Sequence, residues 1–277
     1  MRALIALSAL LAAAGAQPAQ AQAALTPLWS LDGLADPESV ALGPDGETLY
    51  VANVAGEGDA KDANGFISRV SRDGRMLERE WARGLDGPKG AVVGGGELLV
   101  SDITRLVAID LATGEITRSH DVPGAGFLND VAVTPQGEVL VADSASGRIF
   151  SLKDGAVAVW AEGPELRAVN GLLPEPGRLV VTTMAGKLLA FDYATRAVRV
   201  LAEGLGDADG VASLGEGRYL VSEWPGRLFE VAADGTARVL IDERAAPRYI
   251  NDFILVGDEL IVPHWKPGAL SVYRVAR

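Results

Sequence analysis

Residues 128–143, LNDVAVTPQGEVLVAD, have the sequence pattern of one β-hairpin. Polar and apolar side chains alternate after Asn129, the segment 135–137 favours a tight turn, and an apolar strand then returns to Asp143. Because Asn129 opens the hairpin and Asp143 closes it, we expect both side chains at the same end of the hairpin.

The same hairpin pattern occurs six times along the chain. Each copy opens on a polar residue, continues as an apolar strand, turns at a glycine and returns as a second apolar strand. Two further short strands follow in most copies, and four strands in every ~40 residues predict a β-propeller blade. The sequence therefore predicts an all-β, six-bladed propeller. The opening pairs are Glu38-Ser39, Lys89-Gly90, Asn129-Asp130, Asn170-Gly171, Asp209-Gly210 and Asn251-Asp252.

The two ends of the repeat region predict how the ring closes. The sixth copy stops after the strand 270–275 and lacks an outer strand. The segment 28–33 resembles the outer strands around Trp81 and Trp160, so we expect it to complete the last blade and remove the exposed edges. The three tryptophans of these outer strands, Trp29, Trp81 and Trp160, are expected to pack between blades rather than to bind substrate.

The first 23 residues have the pattern of a signal peptide. Arg2 precedes the apolar run 3–16, and Ala21-Gln22-Ala23 is a small-residue cleavage pattern. The propeller domain is therefore expected over residues 24–277, in a protein exported to the periplasm or secreted, with no membrane anchor after cleavage.

The overall composition excludes several functional classes. The net charge of −12 argues against binding to nucleic acid or anionic membranes. A Ser-His-Asp hydrolase is excluded because there is no G-x-S-x-G motif and only two histidines are present. The glycines lie in hairpin turns and not in a phosphate-binding loop before a helix. We expect a monomer with a small-molecule partner.

The six hairpin openings carry the candidate chemistry. Innermost strands line the tunnel of a propeller, so the first residues of the six hairpins should converge near its axis. Two carboxylates and three carboxamides suit a hard cation, calcium before magnesium, and suit zinc poorly without His or Cys. A solvated polar tunnel is the alternative. The six residues are Glu38, Lys89, Asn129, Asn170, Asp209 and Asn251.

These segments resemble the family of senescence marker protein (regucalcin), gluconolactonase and luciferin-regenerating enzyme. The matching segments are PESVALGPDG at 37–46, NDVAVTPQG at 129–137, NGLL at 170–173 and DGVASLGEG at 209–217. The resemblance implies lactone hydrolysis and one divalent metal at the tunnel mouth, calcium first, with manganese, zinc or magnesium as alternatives. The implied metal-binding residues are Glu38, Asn129, Asn170 and Asp209.

The resemblance also implies that Asp209 takes the proton from the attacking water. Lys89 departs from the family pattern, and we hypothesise that it holds an anionic substrate such as a sugar lactone or another anionic lactone. The alternative is a lysine whose ammonium reaches solvent and pairs with Glu38. Asn251 and His264 are assigned to substrate binding, and a rim histidine hydrogen-bonded to backbone is the alternative for His264.

Two more regions lie near the predicted mouth. Residues 54–65, VAGEGDAKDANG, are expected to form a polar lid, with a calcium loop as the second interpretation. The acids Asp102, Asp143 and Glu223, which end second strands, are expected to accept backbone N–H groups. The alternative to catalysis is a propeller that binds a ligand or protein partner on its mouth face, and phosphotriester hydrolysis would use the same site.

Overall fold

The computed structural model describes residues 22–246 and 248–276. Most of the predicted signal peptide, residues 1–21, therefore lies outside the described residues. Six four-stranded antiparallel sheets form the blades of a propeller, which confirms the predicted fold class. Within the described ranges, no helix is long and apolar enough to cross a membrane.

The blades follow one another along the chain, and each runs from the tunnel outward. Blade 1 contains β2 (Pro37–Leu42), β3 (Thr48–Asn53), β4 (Gly65–Ser71) and β5 (Met76–Leu85). Blade 2 contains β6 (Pro88–Gly94), β7 (Glu97–Asp102), β8 (Arg105–Asp110) and β9 (Ile116–Asp121). Blade 3 contains β10 (Leu128–Val133), β11 (Val139–Asp143), β12 (Arg148–Lys153) and β13 (Ala156–Glu162).

The second half repeats this arrangement. Blade 4, preceded by a 3₁₀ turn at Pro164–Leu166, contains β14 (Val169–Glu175), β15 (Arg178–Thr183), β16 (Lys187–Asp192) and β17 (Val198–Glu203). Blade 5 contains β18 (Asp207–Gly215), β19 (Arg218–Trp224), β20 (Arg227–Val231) and β21 (Ala237–Asp242). Blade 6 contains β22 (Ile254–Val256), β23 (Glu259–His264), β24 (Ala269–Ala276) and β1 (Ala24–Asp32).

The N-terminal strand closes the ring, as predicted. Strand β1 pairs antiparallel with β24, so that Ala24 lies opposite Ala276 and Asp32 lies opposite Ala269. Ala23, the last residue of the predicted signal peptide, is also buried, and its N–H donates to Oε2 of Glu230 at 3.0 Å. Cleavage after Ala23 would remove this contact, and the cleavage position stays a prediction.

Apolar packing between neighbouring blades holds the ring together. Trp81 packs with Leu98 and Ile109 of blade 2, and Trp160 packs with Leu179 and Phe191 of blade 4. Trp81 and Trp160 are buried, and Trp29 is partly buried against another core cluster, which confirms the packing role predicted for them. Burying one large apolar side chain contributes about 1.5–3 kcal/mol, so these contacts make the position of each blade depend on the next.

Candidate metal centre at the tunnel mouth

A cavity of about 250 Å³ lies at the end of the tunnel where the hairpins open. The structure brings all six predicted opening residues to its lining, although they come from six different blades. Each of them is only 2–6% exposed. Their roles in binding metal or substrate stay predictions. They are Glu38, Lys89, Asn129, Asn170, Asp209 and Asn251.

Irregular strand pairing directs these side chains into the cavity. In five blades the register shifts at the opening residue; in blade 3, for example, Leu128 pairs with Asp143 but the next pair is Val131 with Val141. Such β-bulges bend a strand and re-aim a side chain. Asn129 lies in this bulge, where the pairing with β11 is interrupted.

Hydroxyl groups hold the backbone of the ring from the preceding blade. Ser101 donates to the carbonyl oxygen of Asn129, Thr182 to that of Asp209, and Ser222 to that of Asn251 at 2.6 Å. Ser101 and Thr182 are the next-to-last residues of β7 and β15, and Ser222 lies two residues before the end of β19. This contact explains why a small hydroxyl residue recurs there, a signal that the sequence analysis did not use.

Two of the three acids at the ends of second strands, Asp102 and Asp143, accept backbone N–H groups, as predicted. Asp102 accepts the backbone N–H groups of Asp86 at 3.0 Å and Gly87 at 2.8 Å. Asp143 accepts from Phe127 at 2.6 Å in the same way. Glu223 differs, because it pairs with the guanidinium of Arg227. Asp102 and Asp143 therefore anchor the segments that lead into the next innermost strand.

Four oxygens of the ring show whether a cation would fit the cavity. In the described part of the chain these oxygens are buried and have no hydrogen-bond partner. Leaving a buried acceptor unsatisfied costs about 1–3 kcal/mol, so four in one small cavity call for a cation or water. Carboxylate and carboxamide oxygens are typical calcium ligands, so the residues of the ring fit a calcium ion. The oxygens are Oε2 of Glu38, Oδ1 of Asn170, Oδ1 of Asp209 and Oδ1 of Asn251.

The donor set contains few acids. Among the described residues, no group of three or more His, Cys, Asp or Glu is arranged to hold a metal. The ring provides only the carboxylates of Glu38 and Asp209, and carboxamides complete it. Zinc prefers nitrogen and sulfur ligands, whereas calcium accepts neutral oxygens, so the composition favours calcium.

The loop 54–65 lies on the mouth face, as predicted for a lid. Gly58 lines the cavity, and Nζ of Lys61 donates to Oγ1 of Thr104 at 2.8 Å. The calcium-loop interpretation gains no support, because Asp62 accepts from Asn64 at 2.8 Å and no acidic cluster forms there within the described ranges.

Burial makes the ring carboxylates hard to ionise. Burial raises the pKa of Glu38 to about 7, a shift that Lys89 opposes and Asp252 increases. The pKa of Asp209 is raised well above its ordinary value, first by burial and then by Glu38 and Asp252. Asp130, also buried, adds to this repulsion. Negative charge is therefore costly at this end of the tunnel unless a cation balances it.

The ammonium of Lys89 does not reach bulk solvent. Its side chain is 3% exposed, and Nζ lies 4.5 Å from the ring centroid of Phe127, inside the cavity. Burial lowers the pKa of Lys89, and the carboxylates of Glu38 and Asp209 oppose the shift. The lysine therefore does not extend into bulk solvent, while the charge of Glu38, the other half of that alternative, is the largest one that supports its ammonium.

His264 is the one predicted site residue that the structure does not bring to the cavity. Its side chain is fully buried, and the backbone of Tyr249 is the polar group that interacts with its ring, in keeping with the alternative of a histidine bonded to backbone. Burial, followed by the charge of Arg248, lowers its pKa to about 4. Successive residues of a strand point to opposite faces, and Trp265 lines the cavity instead.

We predict that neutral, buried His264 weakens the fold in mild acid. The unfolded side chain binds a proton near its ordinary pKa of 6.5, whereas the folded one does so only near 4. Because the folded pKa is the lower one, the contribution of His264 to the free energy of unfolding falls as pH drops from about 6.5 to about 4, by up to about 3 kcal/mol. In urea unfolding across this range, His264→Leu should therefore lose less free energy of unfolding toward low pH than the wild type, or gain more. The same pH dependence in both proteins would contradict the prediction, and His120→Leu is the control.

Four large apolar residues of the cavity escaped the sequence analysis. Three of them directly follow a second strand's last polar residue, as Trp265 follows His264. This position just after the hairpin is the signal that could have found them. The four are Phe127, Met184, Trp224 and Trp265.

Known proteins resemble this chain in fold. No family model and no curated protein sequence matches it. A virginiamycin B lyase from Staphylococcus aureus aligns with a TM-score of 0.66 and 11% identity, over 92% of this chain and all of the lyase. A PQQ-bound aldose sugar dehydrogenase from Streptomyces coelicolor aligns at 0.65 and 15%, over 92% of this chain and 99% of that one.

A third solved structure has a name that also occurs in the family which the sequence resembles. It is described as a "putative gluconolactonase" and aligns with a TM-score of 0.66 and 17% identity, over 93% of each chain. At identities this low, the structural alignments show a shared propeller fold only, and the activity must be argued from the site.

Proposed function

We propose that this protein is a metal-dependent hydrolase of the lactonase type. One divalent ion, calcium first, would be held by Glu38, Asn129, Asn170 and Asp209. The observation that carries the proposal is the set of buried ring oxygens without hydrogen-bond partners. The substrate would be a lactone, and the sugar lactone and the other anionic lactone expected from the sequence are its candidates. Export and a monomeric state, expected from the sequence, belong to the same proposal.

The ring residues would have different roles in the reaction. When bound, the ion would polarise the lactone carbonyl and stabilise negative charge on its oxygen. Asp209 would accept a proton from the attacking water, because its buried carboxylate lines the cavity where the ion and the water would be held. Asn170 and Asn251 line the cavity, each with one carboxamide oxygen that has no hydrogen-bond partner in the described chain, and they would orient the reactants.

A lactone panel tests this proposal directly. Proton release from γ- and δ-lactones would be followed by pH-stat with calcium, manganese, zinc, magnesium or chelator present. Hydrolysis that calcium supports and chelator abolishes is the expected result. No hydrolysis of any lactone with any of these ions would overturn the proposal and favour a non-catalytic propeller.

Lys89 is predicted to bind negative charge on the substrate. Lys89→Met should raise the KM for a lactone that bears a carboxylate by about tenfold or more, because a charge-assisted hydrogen bond contributes about 1.5–3 kcal/mol. The KM for a neutral lactone should change little. Lys61→Met, in the loop over the same mouth, removes an equal charge as the control. Equal KM changes for both substrates would contradict the prediction.

A further inference from the structure

The cavity at the tunnel mouth has two chemically different layers. The six polar opening residues are all buried and form its floor. The remaining side chains of the wall are large and apolar, and each is partly exposed to solvent. They are Phe127, Met184, Trp224 and Trp265.

Packing of the blades does not account for the two tryptophans of this wall. Trp81 and Trp160 lie in apolar clusters between blades, but none of the six core clusters in the described chain contains Trp224 or Trp265. Two partly exposed indole rings beside each other in a concave site form an apolar patch of the kind that marks a ligand-binding site. Their position therefore indicates binding.

The indole rings are held in place before any ligand arrives. Trp224 meets Trp265 edge to face, with ring centroids 6.0 Å apart and an interplanar angle of 86°. Trp224 also packs against Tyr249, with centroids 4.9 Å apart at 64°. A wall fixed by such contacts loses little conformational freedom when a ligand binds.

We propose that this wall binds the part of the substrate that does not react, and that this part is apolar, a single aromatic ring or a short alkyl chain. The inference rests on the proposed lactone hydrolysis, whose reacting carbonyl would face the polar floor. A cavity of about 250 Å³ admits one ring beside the carbonyl. Phe and Met offer no strong hydrogen-bond partner and Trp offers a single N–H, so a polyhydroxylated sugar would lose water without replacement.

Two δ-lactones with the same reacting ring test the substrate class. δ-Valerolactone bearing a phenyl group carries an apolar substituent, and glucono-δ-lactone carries hydroxyls. We expect the wild-type protein to show at least a tenfold higher kcat/KM for the phenyl compound. Trp265→Ser should raise the KM for the phenyl lactone about tenfold more than it raises the KM for unsubstituted δ-valerolactone. Met184→Ser provides a second variant if Trp265→Ser does not fold, and Trp29→Ser is the control outside the cavity.

Binding of the phenyl-substituted δ-lactam separates this inference from the proposed function, because the lactam is not hydrolysed. If calorimetry shows binding that Trp265→Ser weakens while no lactone is turned over, the apolar wall stands and the hydrolase proposal fails. Preferred hydrolysis of glucono-δ-lactone, unaffected by the wall variants, would overturn the inference and leave the hydrolase proposal intact. If the protein neither binds the lactam nor hydrolyses any lactone, both the inference and the hydrolase proposal fail.

Discussion

Asp209→Asn is expected to lower kcat for lactone hydrolysis at least a hundredfold while the propeller stays folded. Asparagine has the same shape as aspartate and keeps one carboxamide oxygen, but it cannot accept a proton from water at neutral pH. Removing a general base typically costs 10²–10⁴-fold in rate, to which the lost negative charge beside the ion adds.

The fold should tolerate this substitution. The contact that holds residue 209 in the ring runs from the Thr182 hydroxyl to its backbone carbonyl and does not involve the side chain. Burial and the neighbouring Glu38 and Asp252 already disfavour the charged form of Asp209, so a neutral side chain relieves repulsion. The free energy of unfolding without metal should be unchanged or higher.

The test measures both the rate of lactone hydrolysis and the stability of each variant. Rates on the best substrate of the lactone panel would be compared with circular dichroism and thermal melting of the same preparations. Asp207→Asn is the matched control, since Asp207 lies two residues earlier in β18 and is exposed. Wild-type rates in Asp209→Asn with any lactone would reject the assigned role.

The blades could be predicted because each hairpin carries its own local signals. Gly137 adopts a φ of 81° in the turn of blade 3, as the Pro-Gln-Gly segment suggests. Convergence of the opening residues follows from topology alone, so Asn129 and Asn170 could be placed at one mouth without coordinates. Closure by β1 was equally predictable, because the sixth repeat visibly lacked a strand.

The side-chain environment at the mouth could not be predicted in the same way. His264 and Trp265 are neighbours at the end of β23, and only the actual strand geometry decides which of them faces the cavity. The burial of Lys89 over Phe127 depends on a segment that Asp143 anchors. Such contacts join different turns and strands, and hydrophobic periodicity does not encode them.

Calcium is expected to raise the melting temperature of this protein, and the rise should grow with pH. A ligand present at a hundred times its Kd adds about 2.7 kcal/mol, which corresponds to roughly 5–10 °C for a domain of this size. Chelator should reverse the rise. Glu38→Gln should abolish most of it, whereas Glu57→Gln, an exposed acid of the loop over the mouth, should behave as wild type.

The pH dependence follows from the buried Glu38 carboxyl. Its pKa is raised from 4.5 to about 7 in the fold. A carboxyl with the higher pKa in the folded state stabilises the fold below pH ~4.5, and this contribution is lost as pH rises to ~7. Calcium must displace that proton, so it should add little at pH 5 and its full effect near pH 8, where the ionised carboxylates most need a counter-ion. Melting at pH 8 that neither calcium, manganese nor chelator changes would contradict the metal centre, because the buried ring oxygens would then have to be satisfied by water alone.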